Sequence, residues 1–217
     1  MALAEHAQQA AVGVFQADAV VFAHLRQLRQ LAPDLTIRGV TAAAGHPVIA
    51  DRVSFAAGAQ AALVALRAEY CSEDAVLLGC FGDPGLAALR ERCAVPVAGM
   101  LAASVAQAMA LKRPFRIVTA GAAWEAMLRE GVHALGGGAQ LEGIDVLPGN
   151  GLSAARDPEH TREQVQALVD RCALARETMV LGGAGFAGLK DRLNHADHVI
   201  DGLEAALRSL LPKGVVS

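Results

Sequence analysis

The sequence reads as an α/β protein of two similar halves, each a parallel sheet of about four strands flanked by helices. Three observations lead there. Short apolar runs alternate with segments of helical periodicity along all 217 residues, and parallel strands require helical crossovers. The run Val76 to Leu78 stops at Gly79-Cys80 and is followed by Gly82-Asp83-Pro84-Gly85, the pattern of a buried strand that turns into a helix. The same stretch then recurs. Laying residues 76–86 over 179–189 pairs Leu78 with Leu181, Gly79 with Gly182, Gly82 with Gly185, Gly85 with Gly188 and Leu86 with Leu189, and sets Cys80 opposite Gly183. Without a gap, this register also sets Val97-Ala98-Gly99 over Ile200-Asp201-Gly202, and agreement at two places marks a duplication.

In order, Ala10 to Phe15 is a first strand, Val20 to Leu31 an amphipathic helix ended by Pro33, and Leu35 to Val40 a second strand. The 42–49 stretch, with Gly45 and Pro47, is a long loop over the sheet edge, and Ser54 to Tyr70 an Ala-rich helix. The Cys80 strand follows. Asp83 suits an N-cap and Pro84 the first helical position, so a helix opens there and runs through Leu86, Leu89 and Arg90. Val97 to Gly99 is a strand leading into a helix that ends near Leu111. Phe115 to Thr119 opens the second half with Thr119 at its tip, and Trp124 to Leu135 is a helix closed by Gly136, Gly137 and Gly138. Leu141 to Leu147 is a strand, 148–158 a loop, and Glu159 to Arg176 a strongly periodic helix. The chain finishes with the Gly183 strand, the Ile200 strand and a helix to Leu211.

Composition narrows the function. A chain 53% hydrophobic can bury a sizeable core. A net charge of -3 with no Lys/Arg cluster argues against nucleic-acid binding. The first residues lack a basic region followed by an apolar one, so no secretory signal is expected and the cytoplasm is the expected location. The uncharged part of 93–111 is interrupted by Pro96, Gly99, Ser104 and Gln107, which favours a buried strand and helix over a membrane span. Cys71, Cys80, Cys93 and Cys172 show neither CxxC pairing nor zinc-like spacing, so free thiols are expected. Cys172 falls on the apolar face of its helix with Leu168 and Val169, the place of a packing residue.

Cys80 differs by its address. The carboxyl edge of a parallel sheet is where loops and helix amino termini gather around ligands. Such a terminus favours the thiolate, while the carboxylate of Asp83 works against it. Gly183-Ala184-Gly185-Phe186-Ala187-Gly188 fits GxGxxG after a strand, with Asp201 near the position of a ribose partner. It lies too late in the chain to complete a dinucleotide fold, and duplication explains its glycines more economically, with Gly82 and Gly185 both letting backbone amides approach an anion. His195 and His198 flank Asp197 without a third ligand, so no metal is expected. His6, His24, His46, His133 and His160 are scattered singly and carry no signal.

Leu78-Gly79-Cys80-Phe81-Gly82-Asp83-Pro84-Gly85-Leu86, followed by Val95-Pro96-Val97-Ala98-Gly99 and by Arg116-Ile117-Val118-Thr119, resembles the aspartate/glutamate/hydantoin racemase superfamily, nearest its hydantoin and allantoin racemase branch. The resemblance implies two pseudosymmetric α/β lobes with the site in the cleft between them, 1–112 carrying Cys80 and 113–217 carrying Gly183, and helices crossing between lobes. It implies an isomerase without cofactor acting on a small carboxylate, hydantoin or related amide, and a homo-oligomer is compatible with the Ala-rich helices. In that family one cysteine from each lobe faces the substrate Cα. Cys80 matches the first as acid/base, while Phe81, Gly82, Ala184 and Gly185 amides and Thr119 match groups that hold the substrate. The second cysteine should stand in Leu181-Gly182-Gly183-Ala184-Gly185, where this chain has Gly183. The turn after the first strand departs too, at Phe15-Gln16-Ala17-Asp18. The arylmalonate decarboxylase branch also uses one cysteine, but in the other lobe, so a single-cysteine decarboxylase and a silent binding protein stand as alternatives.

Overall fold

The computed structural model describes residues 9–13, 18–66 and 73–211. Strand β1 is Gln9–Gly13, α1 Asp18–Leu31, β2 Thr36–Val40, α2 Arg52–Ala65, β3 Ala75–Leu78, α3 Leu86–Arg92, β4 Val97–Gly99 and α4 Met100–Ala110. The second series is β5 Phe115–Ala120, α5 Trp124–Ala134, β6 Leu141–Leu147, α6 Gly151–Arg156, α7 Pro158–Ala175, β7 Thr178–Leu181, β8 Val199–Asp201 and α8 Gly202–Leu210. All strand pairs are parallel, in the orders β2-β1-β3-β4 and β6-β5-β7-β8. The two halves thus repeat one topology, the fold class that the alternation of strands and helices implied. Residues 14–17 and 67–72, which include the end of the first expected strand, most of the Phe15-Gln16-Ala17-Asp18 turn, the end of the Ser54 to Tyr70 helix and Cys71, lie outside the described residues.

The sheets share a core. Leu28, Leu77 and Met100 from one half and Phe115, Ile117, Leu128, Leu203 and Leu207 from the other belong to one buried apolar cluster. Helix α8 packs across onto α4, β4 and α1. Gln27 of α1 donates to Asp201 Oδ2 at 2.9 Å and accepts from Gly188 N–H at 3.0 Å. Phe81, 4% exposed, seals the join: a Cβ on Gly182 would come within 2.9 Å of its ring and one on Gly202 within 3.1 Å. Those two glycines are where the second half lets that ring in.

Three expectations are corrected. Asp83 does not cap the helix that follows it. It takes φ 57°, α3 begins only at Leu86 behind Gly85, and the Asp83 carboxylate accepts from Leu101 N–H at 3.1 Å and Ala102 N–H at 2.7 Å. It therefore caps α4, whose own N-cap residue, Gly99, has no side chain to do so. Helix α8 is satisfied at the same two positions by its own N-cap, Asp201, which accepts from Leu203 and Glu204 N–H at 2.9 and 3.0 Å. The second correction follows: β4 and β8 correspond one residue away from the ungapped register, since β3 pairs Val76 with Val97 while β7 pairs Met179 with Val199. Third, 148–158 is not all loop. Asn150 accepts from Leu152 and Ser153 N–H, both at 3.0 Å, and starts the short helix α6.

Cys172 is fully buried beside Val165 and Val169 in a second apolar cluster, and Cys93 is half-buried. Among the described residues, no helix is long and apolar enough to cross a membrane.

Candidate active site

One cavity of about 110 Å³ lies at the carboxyl ends of β3, β5 and β7, where loops from both halves meet. Cys80, Phe81, Thr119, Gly183 and Gly185 line it. The turn bearing Cys80 is closed by Asp83 N–H to Cys80 C=O, and the turn bearing Gly183 by Phe186 N–H to Gly183 C=O, each at 3.1 Å. The cysteine and the glycine thus occupy equivalent places in equivalent turns. Neither turn bond uses the amides of Phe81, Gly82, Ala184 or Gly185. Thr119 is buried in β5, one residue from its end. Gly82 is not part of the lining; at φ 109° it sits against Trp124, behind the wall. Ala184 belongs to a short 3-10 turn, residues 184–186.

That 3-10 turn also decides the GxGxxG reading. No helix follows β7 to present an amino terminus to a phosphate, and Asp201 is already taken by α8 and Gln27. His198 Nδ1 lies 2.7 Å from the carbonyl of Glu177. Among the described residues, no group of three or more His, Cys, Asp or Glu side chains is gathered as a metal site.

The sequence did not bring several lining residues forward. His46, Pro47, Val48 and Ile49, in the loop between β2 and α2, cover one side, and Trp124, Gly151, Leu152 and Phe186 complete the wall. Trp124 holds that loop by donating from Nε1 to the carbonyl of Ile49 at 3.1 Å, and Phe55 meets it edge-on with ring centroids 6.1 Å apart. The single tryptophan at the start of a helix after a strand was the available signal. His46 gave none, since only the tertiary path of its loop carries it to Cys80. Asn150 and Ser153, spaced as a reciprocal cap, could have announced α6.

The electrostatics correct a further expectation. Cys80 is not poised as a thiolate: burial, and then the Asp83 carboxylate, push its thiol up to about 12. Neither α3 nor α4 offsets this, because α3 starts six residues later and the α4 terminus is spent on Asp83. Burial in turn pushes Asp83 up to about 6, against the amides of Ala102 and Leu101 that favour its charge. At neutral pH the cavity holds a protonated sulfur.

A family model described as Asp/Glu/Hydantoin racemase matches residues 17–210. Hydantoin racemase of Rhizobium meliloti is 31% identical over 139 residues, which are 62% of this chain and 58% of that protein. Hydantoin racemase of Pseudomonas sp. (strain NS671) is 34% identical over 139 residues, 62% and 56% of the two chains. The matched stretch therefore spans less than two thirds of either relative. Allantoin racemase from Klebsiella pneumoniae superimposes with a TM-score of 0.85 at 26% identity, covering 94% of this chain and 85% of that one. A family match over nearly the whole chain, on a doubled sheet whose paired turns converge on one cavity, establishes that this chain belongs to the Asp/Glu/hydantoin racemase family.

Proposed function

We propose that the protein is a cofactor-independent racemase-like enzyme that moves a proton at the Cα of a small carbonyl or carboxylate compound, of the hydantoin or related amide class, with Cys80 as acid/base. The observation that carries this reading is the convergence of Cys80, Thr119 and the Gly183 turn on a single cavity. Breaking a C–H bond beside a carbonyl needs a proton carrier near Cα and donors aimed at the oxygen that becomes an enolate. The Cys80 thiol is the carrier. The Thr119 hydroxyl and the turn amides of Phe81, Ala184 and Gly185 are the donors.

A second reading, a lyase of the arylmalonate decarboxylase type, is favoured by one observation: a thiol held protonated beside a cavity whose equivalent position is Gly183 is suited to donating a proton to an enediolate after CO2 leaves. One experiment separates the two. Each enantiomer of 5-benzylhydantoin, and separately a disubstituted malonate, is incubated with enzyme in D2O, with optical rotation, Cα deuteration and CO2 release followed against Cys80→Ala. Loss of rotation with Cα deuteration, abolished by Cys80→Ala, is expected. CO2 release from the malonate without change in the hydantoin moves the assignment to the lyase, and no turnover of either refutes both.

A further inference from the structure

With Gly183 where a second thiol would stand, racemisation still requires a proton carrier for the other face of the substrate. Among the described residues, and apart from the Trp124 indole already engaged with Ile49, the lining side chains that can exchange or share a proton are those of Cys80, Thr119 and His46, and an aliphatic hydroxyl is too weak a base to deprotonate carbon unaided. We propose that His46 is that carrier, a catalytic acid/base that works across the bound substrate from Cys80; the assignment rests on the racemase reading above.

Four observations support it. His46 enters the cavity from the loop after β2, while Cys80 follows β3, and β1 lies between those strands; the two groups reach one small cavity from separate directions. The loop is held at its far end, where Ile49 is buried and its carbonyl accepts from Trp124. Asp51, five residues on, is fixed as the N-cap of α2 by reciprocal hydrogen bonds with Ser54. Its carboxylate is held below the usual range by those Ser54 bonds first, and it couples last and through charge to His46, so an imidazolium formed there lies in the field of an ionised carboxylate. Finally, His46 is exposed at the mouth, where it can exchange protons with water between turnovers.

The step balances with no further reagent. A ring nitrogen of neutral His46 takes the proton from Cα, the C–H electron pair moves into the C=C bond, and the carbonyl π pair moves to oxygen to give the enolate. The Cys80 thiol then gives its proton to the other face of Cα as the enolate collapses, leaving a thiolate and an imidazolium. The opposite enantiomer runs from that ion pair, with thiolate as base and imidazolium as acid, and proton exchange through solvent resets either form. In the direction that His46 begins, the protonated sulfur serves as it stands, and the thiolate it leaves serves the opposite direction.

The test compares wild type, His46→Gln and the double variant His46→Gln/Gly183→Cys, with each enantiomer of 5-benzylhydantoin in D2O. Removing one acid/base is worth about 100-fold or more. His46→Gln is expected to lose racemisation by about that factor, yet to keep exchanging the Cα hydrogen of the one enantiomer that presents it to Cys80, at a rate that rises with pH as the thiol ionises; the added thiol at position 183 is expected to restore racemisation. Since His46 is exposed, its melting temperature should match wild type. The proposal is overturned if His46→Gln racemises like wild type, if it loses exchange of both enantiomers together, or if wild type itself exchanges without racemising. The last result leaves Cys80 proton transfer standing. Wild type that does neither overturns this assignment together with the racemase reading.

Discussion

Replacing Gly82 by alanine perturbs the wall behind Cys80 without touching a group that moves protons. Gly82 has φ 109°, and a Cβ built there falls 2.6 Å from Cζ3 and 3.1 Å from Cη2 of Trp124, and 3.3 Å from Cε2 of Phe55. The indole has little room to yield, since Phe55 braces it edge-on and its Nε1 is engaged with Ile49. Backbone strain for a residue with a Cβ in this region costs about 1–3 kcal/mol, and forcing a methyl into a packed wall a further ~1–3 kcal/mol. A loss of about 3 kcal/mol follows, which for a chain of this size lowers the melting temperature by roughly 6–12 °C. Gly136→Ala separates the two contributions. Gly136 also has positive φ, 82°, but nothing lies within 4 Å of its Cβ position, so only the backbone cost of about 1 kcal/mol applies. Thermal unfolding by circular dichroism gives both values. The emission of Trp124, the single tryptophan, reports whether the wall has moved. Equal losses in the two variants, with unchanged emission in Gly82→Ala, would refute the packing account of this wall.

Three further outcomes are expected. Cys80 should resist iodoacetamide at pH 7, its labelling rate rising about tenfold per pH unit into the alkaline range, and Asp83→Asn, which removes the nearby charge, should speed labelling at fixed pH; fast labelling of wild type at neutral pH contradicts the raised thiol. Asp83 is an acid whose folded value, pushed up to about 6 by burial, lies above the ordinary aspartate value of 3.8, so its contribution to stability is fully present below pH 3.8 and is lost as pH rises through 6. Wild type should therefore lose about 3 kcal/mol relative to Asp83→Asn between pH 3.5 and 7, and a flat difference in urea midpoints contradicts this. Gly183→Cys alone should fold with stability within about 1 kcal/mol of wild type, because its Cβ meets only the Phe186 ring, at 3.3 Å; a large drop in melting temperature would show the turn has no room for the thiol.

The parts of the fold legible in the sequence were those governed by local pattern. The β3 and β7 strands are fully buried, four residues each, and a strand covered on both faces reads as a near-continuous apolar run, as Ala75 to Leu78 and Met179 to Leu181 do. Repetition of those runs, with the glycines of the turns behind them, identified the doubled topology and the Cys80 and Gly183 pair. What misled was the reading of Asp83 and Pro84. The spacing of an N-cap and a first helical proline was present, but Asp83 adopts a left-handed backbone and finds the amides of α4, eighteen and nineteen residues away. A capping side chain answers to whichever unsatisfied N–H groups lie nearest in space.

By itself the sequence determined the α/β alternation, the duplication, and the two turns that bear a cysteine and a glycine, because each depends on residues within a few positions of one another. Only the tertiary structure decided that Trp124 and the 46–49 loop wall the cavity, that His46 stands in it, and that the Cys80 sulfur keeps its proton. Those outcomes depend on what the other elements bring alongside: a carboxylate held by a distant helix, an indole from the other half, and enough protein around the thiol to make its charge costly.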